Sequence, residues 1–153
     1  MKNQIKELDL AEAVTHLLEE CRMVLPGIQA LFGFQLIAVF NSRFAEDLSL
    51  GEQILHLAAI GFVALAVAFV MTPASYHRLT GAKKVSEDFL KLATRMLLTS
   101  MCFLLIGICL DFYLISQLII ENRVISAILS SILFIVSMAL WFLLPYLKNK
   151  TKY

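Results

Sequence analysis

Charge is scarce in this sequence. Of 153 residues, only 16% are Asp, Glu, Lys or Arg, whereas 59% are hydrophobic. A soluble domain carries about a quarter of its residues as charges and under half as apolar ones. A chain this short cannot hide so much apolar surface in one core, so lipid must be part of its solvent. Cysteine is equally sparse. Cys21, Cys102 and Cys109 are odd in number and irregular in spacing, which excludes a disulfide framework. Cys102 and Cys109 stand seven residues apart, about 10 Å along a helix, and cannot bridge within it. The sequence has no Gly-rich phosphate loop, no zinc-protease motif and no nucleophile elbow, and its middle-loop lysines are too few to read as a nucleic-acid surface. The opening stretch MKNQIKELDLAEAV lacks the apolar core and cleavage pattern of a secretory signal. No cofactor or metal is implied.

What is present is a set of long apolar runs. The first, Val24–Phe40, contains no charge but carries Pro26, Gly27, Gly33 and two amides, Gln29 and Gln35. Three more follow, giving spans of about 24–41, 54–71, 96–116 and 124–147. The expected fold is all-α: an integral membrane protein with four transmembrane helices in a domain over 24–147. Ahead of it, residues 1–23 form a cytoplasmic amphipathic helix with Leu10, Val14, Leu17, Leu18, Cys21 and Leu25 at helical spacing. Its polar face is acidic, which favours packing under the bundle over attraction to anionic lipid. Pro26 falls where this helix meets the first span and predicts a kink or restart. In the second span, Ala58, Gly61, Leu65 and Ala68 share one side, which reads as a close helix contact. In the third, Val85, Phe89, Leu92 and Met96 extend the helical period outside the membrane, with Ser86 as a cap. Residues 148–153 form a basic tail.

Eleven of the 13 lysines and arginines fall in the N-terminal segment, the middle loop with its helical extension, and the tail; only Arg43 and Arg123 fall on the other side. The positive-inside rule then places both termini in the cytoplasm.

Asp111 is the sole acid inside an apolar run, and an intramembrane carboxylate is costly unless paired or protonated. His56 and Arg43 enter from the same outer end, so a cluster of Asp111, His56 and Arg43 is geometrically open, either as a proton site or as a structural pair. Gln35 and Gln29 lie deeper and do not form one strict stripe; they serve either as interhelical hydrogen-bonding groups or as the lining of a pathway, with Ser126, Ser130 and Ser137 as partners. A second polar cluster, Glu19, Glu20, Arg22, His77 and Arg78, belongs to the cytoplasmic side. There Glu19 or Glu20 is expected to pair with Arg22, Arg78 or Arg95.

The run LLEECRMVLPGIQALFGFQLIAVFNSRFAE, together with TPASYHR, resembles a family of small, uncharacterised four-helix bacterial membrane proteins, sometimes labelled sodium/proton antiporter-like. The likeness covers Leu17 to Ile115 and rests on Glu20, Arg22, Gly27, Gln29, Phe40, Arg43, Phe44, Pro73, His77 and Arg78. Leu25 and Pro26 stand where the family pattern often has a polar pair. The resemblance implies the four-helix topology and a bacterial inner-membrane location. Three functions remain open. One is an ion channel or proton-coupled ion transporter acting as a homo-oligomer in the lipid bilayer. Another is a non-catalytic membrane module that binds a cytoplasmic protein partner. The third is a membrane enzyme or metal site using His16, Glu19, Glu20 and His77.

Overall fold

Long runs of Leu, Ile, Val, Ala and Phe with few breakers leave the backbone one economical way to satisfy its own polar groups, the α-helix. The computed structural model describes residues 2–80 and 87–150, with side chains from Leu10 to Thr80 and Glu87 to Lys148. Its elements are α1 (Lys2–Val39), α2 (Phe44–Asp47), α3 (Leu50–Thr80), α4 (Glu87–Ile120), α5 (Arg123–Met138), a π segment (Ala139–Leu143) and α6 (Leu144–Lys150). No strand occurs among the described residues. Four helical stretches, Leu10–Val39, Leu50–Thr80, Glu87–Ile120 and Arg123–Lys148, are long and apolar enough to cross a membrane. The expected Ser86 cap and the contribution of Val85 lie outside the described residues.

The N-terminal segment and the first span are one helix. Pro26 removes the bond to the Arg22 carbonyl, yet α1 continues through it without the expected restart. Tertiary packing overrides the local preference. Val14, Leu17, Cys21 and Ile28 form one buried stripe, held in a common core with Val63, Val70, Phe89 and Ala93. Pro26 itself lies on the exposed side of α1, so its ring disturbs none of these contacts.

Short polar devices set the ends. Before α3, the Glu52 carboxylate accepts from the Ser49 amide at 2.8 Å and from the Ser49 hydroxyl at 2.7 Å, which supplies the carboxylate half of a capping box. Asn122 caps α5, its side-chain oxygen accepting from the amides of Val124 and Ile125 at 3.0 and 3.2 Å. The two-residue link from α4 to α5 is closed by Glu121 at φ 55°, a left-handed position that most side chains avoid. Near the end of the last span, Pro145 has no N–H for the Trp141 carbonyl. The helix widens just ahead of it, with the Leu144 amide bonding to the Ala139 carbonyl five residues back.

The closest helix pair is α3 against α4. A Cβ placed on Gly107 would fall 2.7 Å from Val63 Cγ2 and 3.2 Å from the Ala59 carbonyl oxygen, so only glycine lets the helices approach this closely. Phe103 stacks between Phe62 and Phe69, with ring centroids 6.1 and 5.2 Å apart. The buried stripe of α3 is His56, Ala59, Val63, Ala66, Val70 and Pro73. The expected contact side therefore stands corrected: Ala58, Gly61, Leu65 and Ala68 are all exposed in the chain. Small residues occur on both sides of α3, and size alone does not say which side meets α4. α1 packs against α3 and α4, whereas α5 packs on α4 alone among the long helices with substantial contact. The outer faces of α5, including Ile128, Ile132 and Ile135, stay exposed.

Candidate functional site

Three helices converge near the end of the bundle that holds the C-terminus of α1, the N-terminus of α3 and the C-terminus of α4. Gln35 lies four residues before the end of α1, His56 six residues into α3 and Asp111 nine residues before the end of α4. At about 1.5 Å per residue these depths are roughly 6, 9 and 14 Å from their respective helix ends, and the side chains meet because those ends are staggered. The positions follow from the same helical stripes that build the core. Gln35 continues the buried line of α1 one turn beyond Leu31, and Asp111 lies one turn above Gly107, where α4 is closest to α3.

The three side chains form one network. His56 Nδ1 lies 3.1 Å from an Asp111 carboxylate oxygen, and His56 Nε2 lies 3.1 Å from the main-chain carbonyl of Gln35. The Gln35 side-chain amide donates to the other Asp111 oxygen at 2.5 Å. Gln35 is 4% exposed and His56 7%. The side-chain carbonyl oxygen of Gln35 is buried without a hydrogen-bond partner, a costly arrangement in a low-dielectric interior. The Phe44 ring lies 5.3 Å from the imidazole, tilted by 56°.

Both imidazole nitrogens therefore face acceptors. A neutral imidazole has one N–H and can satisfy only one of them. The network closes when one further proton lies between His56 and Asp111, either on Nδ1 of an imidazolium or on the carboxyl group. Without it, one lone pair of the ring faces another lone pair. Full pairing of both imidazole nitrogens thus takes one more proton than a neutral imidazole and a carboxylate carry between them.

A cavity of about 350 Å³ opens beside the network. Its walls are apolar, with Leu31, Phe34, Leu114, Ile115 and Leu118 among them, and Asn41, Arg43 and Asp47 stand at its polar edge. Among the described residues no Ser, Thr or Cys lines it. Beyond the network toward the other end of the bundle, the space between helices is filled by Val63, Ala66, Leu105 and Val70, each at most 2% exposed.

The expected residues are sorted unevenly. His56 and Asp111 meet as foreseen, and Gln35 joins them through an interhelical hydrogen bond. Arg43 does not contact Asp111. It is exposed at the cavity edge, its amide bonded to Asn41 Oδ1 at 3.1 Å. Gln29 is exposed on another face of α1. The serines of α5 do not serve the glutamines. Ser130 donates to the Cys109 carbonyl at 2.7 Å and Ser126 to the Asn122 carbonyl at 3.0 Å. Phe44 was not singled out as a member of this site; its place just after Arg43, at the turn into α3, was the available signal.

At the opposite end, the second polar cluster divides. Arg22, His77 and Arg78 line one cavity between α1 and α3. Glu19 turns away to His16, at 3.6 Å, and Glu12 approaches the same imidazole at 3.7 Å, all on the exposed side of α1. Among the described residues neither Glu19 nor Glu20 pairs with Arg22, Arg78 or Arg95. Nor does any group of three or more His, Cys, Asp or Glu among them converge as a metal-ligand set, so His16 and His77 do not share one.

The fold defines a class: a protein all-helical over its described residues, with four helices long and apolar enough to cross a membrane, and a buried His–Asp–Gln network near one end. Residues 7–145 match the model of a family of unknown function, DUF6328, and the chain belongs to that family. No curated protein and no solved structure matches it.

Proposed function

We propose that the chain is a proton-coupled ion transporter of the bacterial inner membrane, working as a homo-oligomer with both termini in the cytoplasm. The observation that carries this reading is the position of His56, whose two ring nitrogens face the Asp111 carboxylate and the Gln35 carbonyl, both at 3.1 Å. A group that is fully hydrogen-bonded only with one extra proton is a natural place to load and release it. Release frees the Asp111 carboxylate and leaves the unpartnered Gln35 oxygen beside it; together they offer oxygen ligands to a cation entering from the 350 Å³ cavity. Arg43 at the edge of that cavity controls its field rather than binding the proton.

Oligomerisation is part of this reading because one copy supplies only half of a route. The tight apolar packing at Val63, Ala66 and Leu105 closes the cytoplasmic half, and Gln29 presents its amide outward from α1. An amide at that depth gains about 1 kcal/mol by pairing across helices, and a second copy supplies such a partner. The same closed core favours the second reading, a non-catalytic module that binds a cytoplasmic protein, since such a module needs no route at all.

Purified protein in liposomes under an imposed proton gradient separates the two. Cation-dependent proton flux that is lost in Asp111→Asn supports transport. Absence of flux from folded protein rejects it in favour of the module.

A further inference from the structure

The end of the bundle away from the His–Asp–Gln network carries a cavity of different chemistry. It has a volume of about 570 Å³ and lies between α1 and α3, within the range of about 300–1,000 Å³ usual for small-molecule sites. Its polar wall consists of Arg22 from α1 and Ser75, His77 and Arg78 from α3. Among the described residues no carboxylate lines it, and no acid pairs with either arginine. The imidazole of His77 is steadied against the Phe89 ring, with centroids 5.8 Å apart.

Two arginines, a serine and a histidine lining one cavity from two helices give it a donor-rich wall suited to a tetrahedral oxyanion, and arginine forks match phosphate oxygens in particular. The remaining wall is hydrocarbon: Leu18, Leu25, Val70 and Met71. It continues into an apolar exterior, with Met71 42% and Met23 72% exposed. A free phosphate uses only the first wall. A phospholipid uses both, its headgroup against the arginines and its glycerol and upper acyl carbons against the apolar side.

We propose that this cavity is a binding site for an anionic phospholipid, recognised through its headgroup phosphate. The site stands independently of the transport reading. A choline headgroup brings a fixed cation toward Arg22 and Arg78 and is disfavoured, whereas a phosphatidylglycerol headgroup is not. Basic pockets between spanning helices at the headgroup level have the electrostatics for such selection.

The test is native mass spectrometry of the full chain in detergent, titrated in separate arms with phosphatidylglycerol, phosphatidylcholine and inorganic phosphate. Wild type retains phosphatidylglycerol in preference to phosphatidylcholine, and inorganic phosphate alone is not retained. Each arginine contributes about fivefold, so Arg22→Gln with Arg78→Gln brings phosphatidylglycerol retention down to the phosphatidylcholine level. Ala74→Trp fills the cavity while leaving both charges in place, and it also expels the lipid. Equal retention of the two lipids overturns the proposal, as does undiminished retention in the double variant. Retention of phosphate alone as tightly as the lipid reduces the site to a free-oxyanion site and rejects the lipid. If the double variant fails to fold, unchanged retention in Ala74→Trp overturns the proposal by itself.

Discussion

His56 and Asp111 lie fifty-five positions apart in sequence and meet at 3.1 Å, each on a different helix and each nearly out of reach of solvent. Their contact, with the Gln35 amide on the other carboxylate oxygen, ties α1, α3 and α4 together at one level. The same three residues thus fix the packing of one end of the bundle and create its chemistry.

Isotope-edited infrared spectroscopy tests the proposed proton site. If the pair binds one proton as proposed, a pH jump on wild-type protein changes the carboxyl and imidazole bands together. Asp111→Asn abolishes the carboxyl signal and leaves any remaining imidazole change uncoupled. If the imidazole response of that variant matches wild type, the two groups do not share a proton.

The two glutamines are expected to part company. Gln35→Leu removes a buried donor from Asp111 and lowers stability in detergent by about 1 kcal/mol, read as an earlier thermal unfolding midpoint. Gln29→Leu sits on an exposed face and leaves the unfolding of the single chain nearly unchanged, while weakening self-association measured by analytical ultracentrifugation. Equal losses of thermal stability in both variants would contradict this division.

Gly107 is the closest point between α3 and α4. Gly107→Ala pushes against Val63 and the Ala59 carbonyl and costs about 1–3 kcal/mol, the usual range for overpacking. The strain falls one helical turn from Asp111, so the variant also loosens the His56 contact and shifts the infrared signature of the pair. On the facing helix, Ala59→Leu is destabilising, whereas Ala58→Leu is tolerated because Ala58 faces outward. Equal stability of the two alanine variants would show that the wrong side of α3 has been placed in the contact.

Orientation is testable by single-cysteine labelling in a background lacking Cys21, Cys102 and Cys109. Asp47→Cys, next to the edge of the network's cavity, is expected to react with an impermeant maleimide added outside intact cells. Lys148→Cys is expected to react only after permeabilisation. The reverse pattern would turn the His56–Asp111 end of the bundle toward the cytoplasm.

Much of the architecture was legible from composition and run length. The number and rough limits of the spans follow from apolar stretches long enough to cross a bilayer. The amphipathic stripe Val14, Leu17 and Cys21 was readable from its period and is buried as that period requires. Asp111 and His56 drew attention because polar groups are rare in such runs and must find partners there. The restart at Pro26 was not a safe inference. A proline deletes one hydrogen bond, and the α1 stripe buried on both sides of it holds the helix together. The contact side of α3 was placed on nearly the opposite face of the helix from the buried one. Alanines and glycines occur on both sides, and only the shape of α4, with Gly107 opposite Val63, selects between them.

The sequence by itself determined the four apolar runs long enough to cross a membrane, the helical class and the scarce polar residues that had to be paired. Those properties are sums over local composition and period, and they need no partner to be specified. Tertiary structure decided who pairs with whom. It chose Gln35 over Arg43 for Asp111, and main-chain carbonyls over the glutamine amides for Ser126 and Ser130. It also gathered Arg22, His77 and Arg78 around one cavity while Glu19 turned to His16. Such choices depend on helix rotation and axial offset, which shift a side chain by whole helical faces without changing the apolar pattern that the sequence displays.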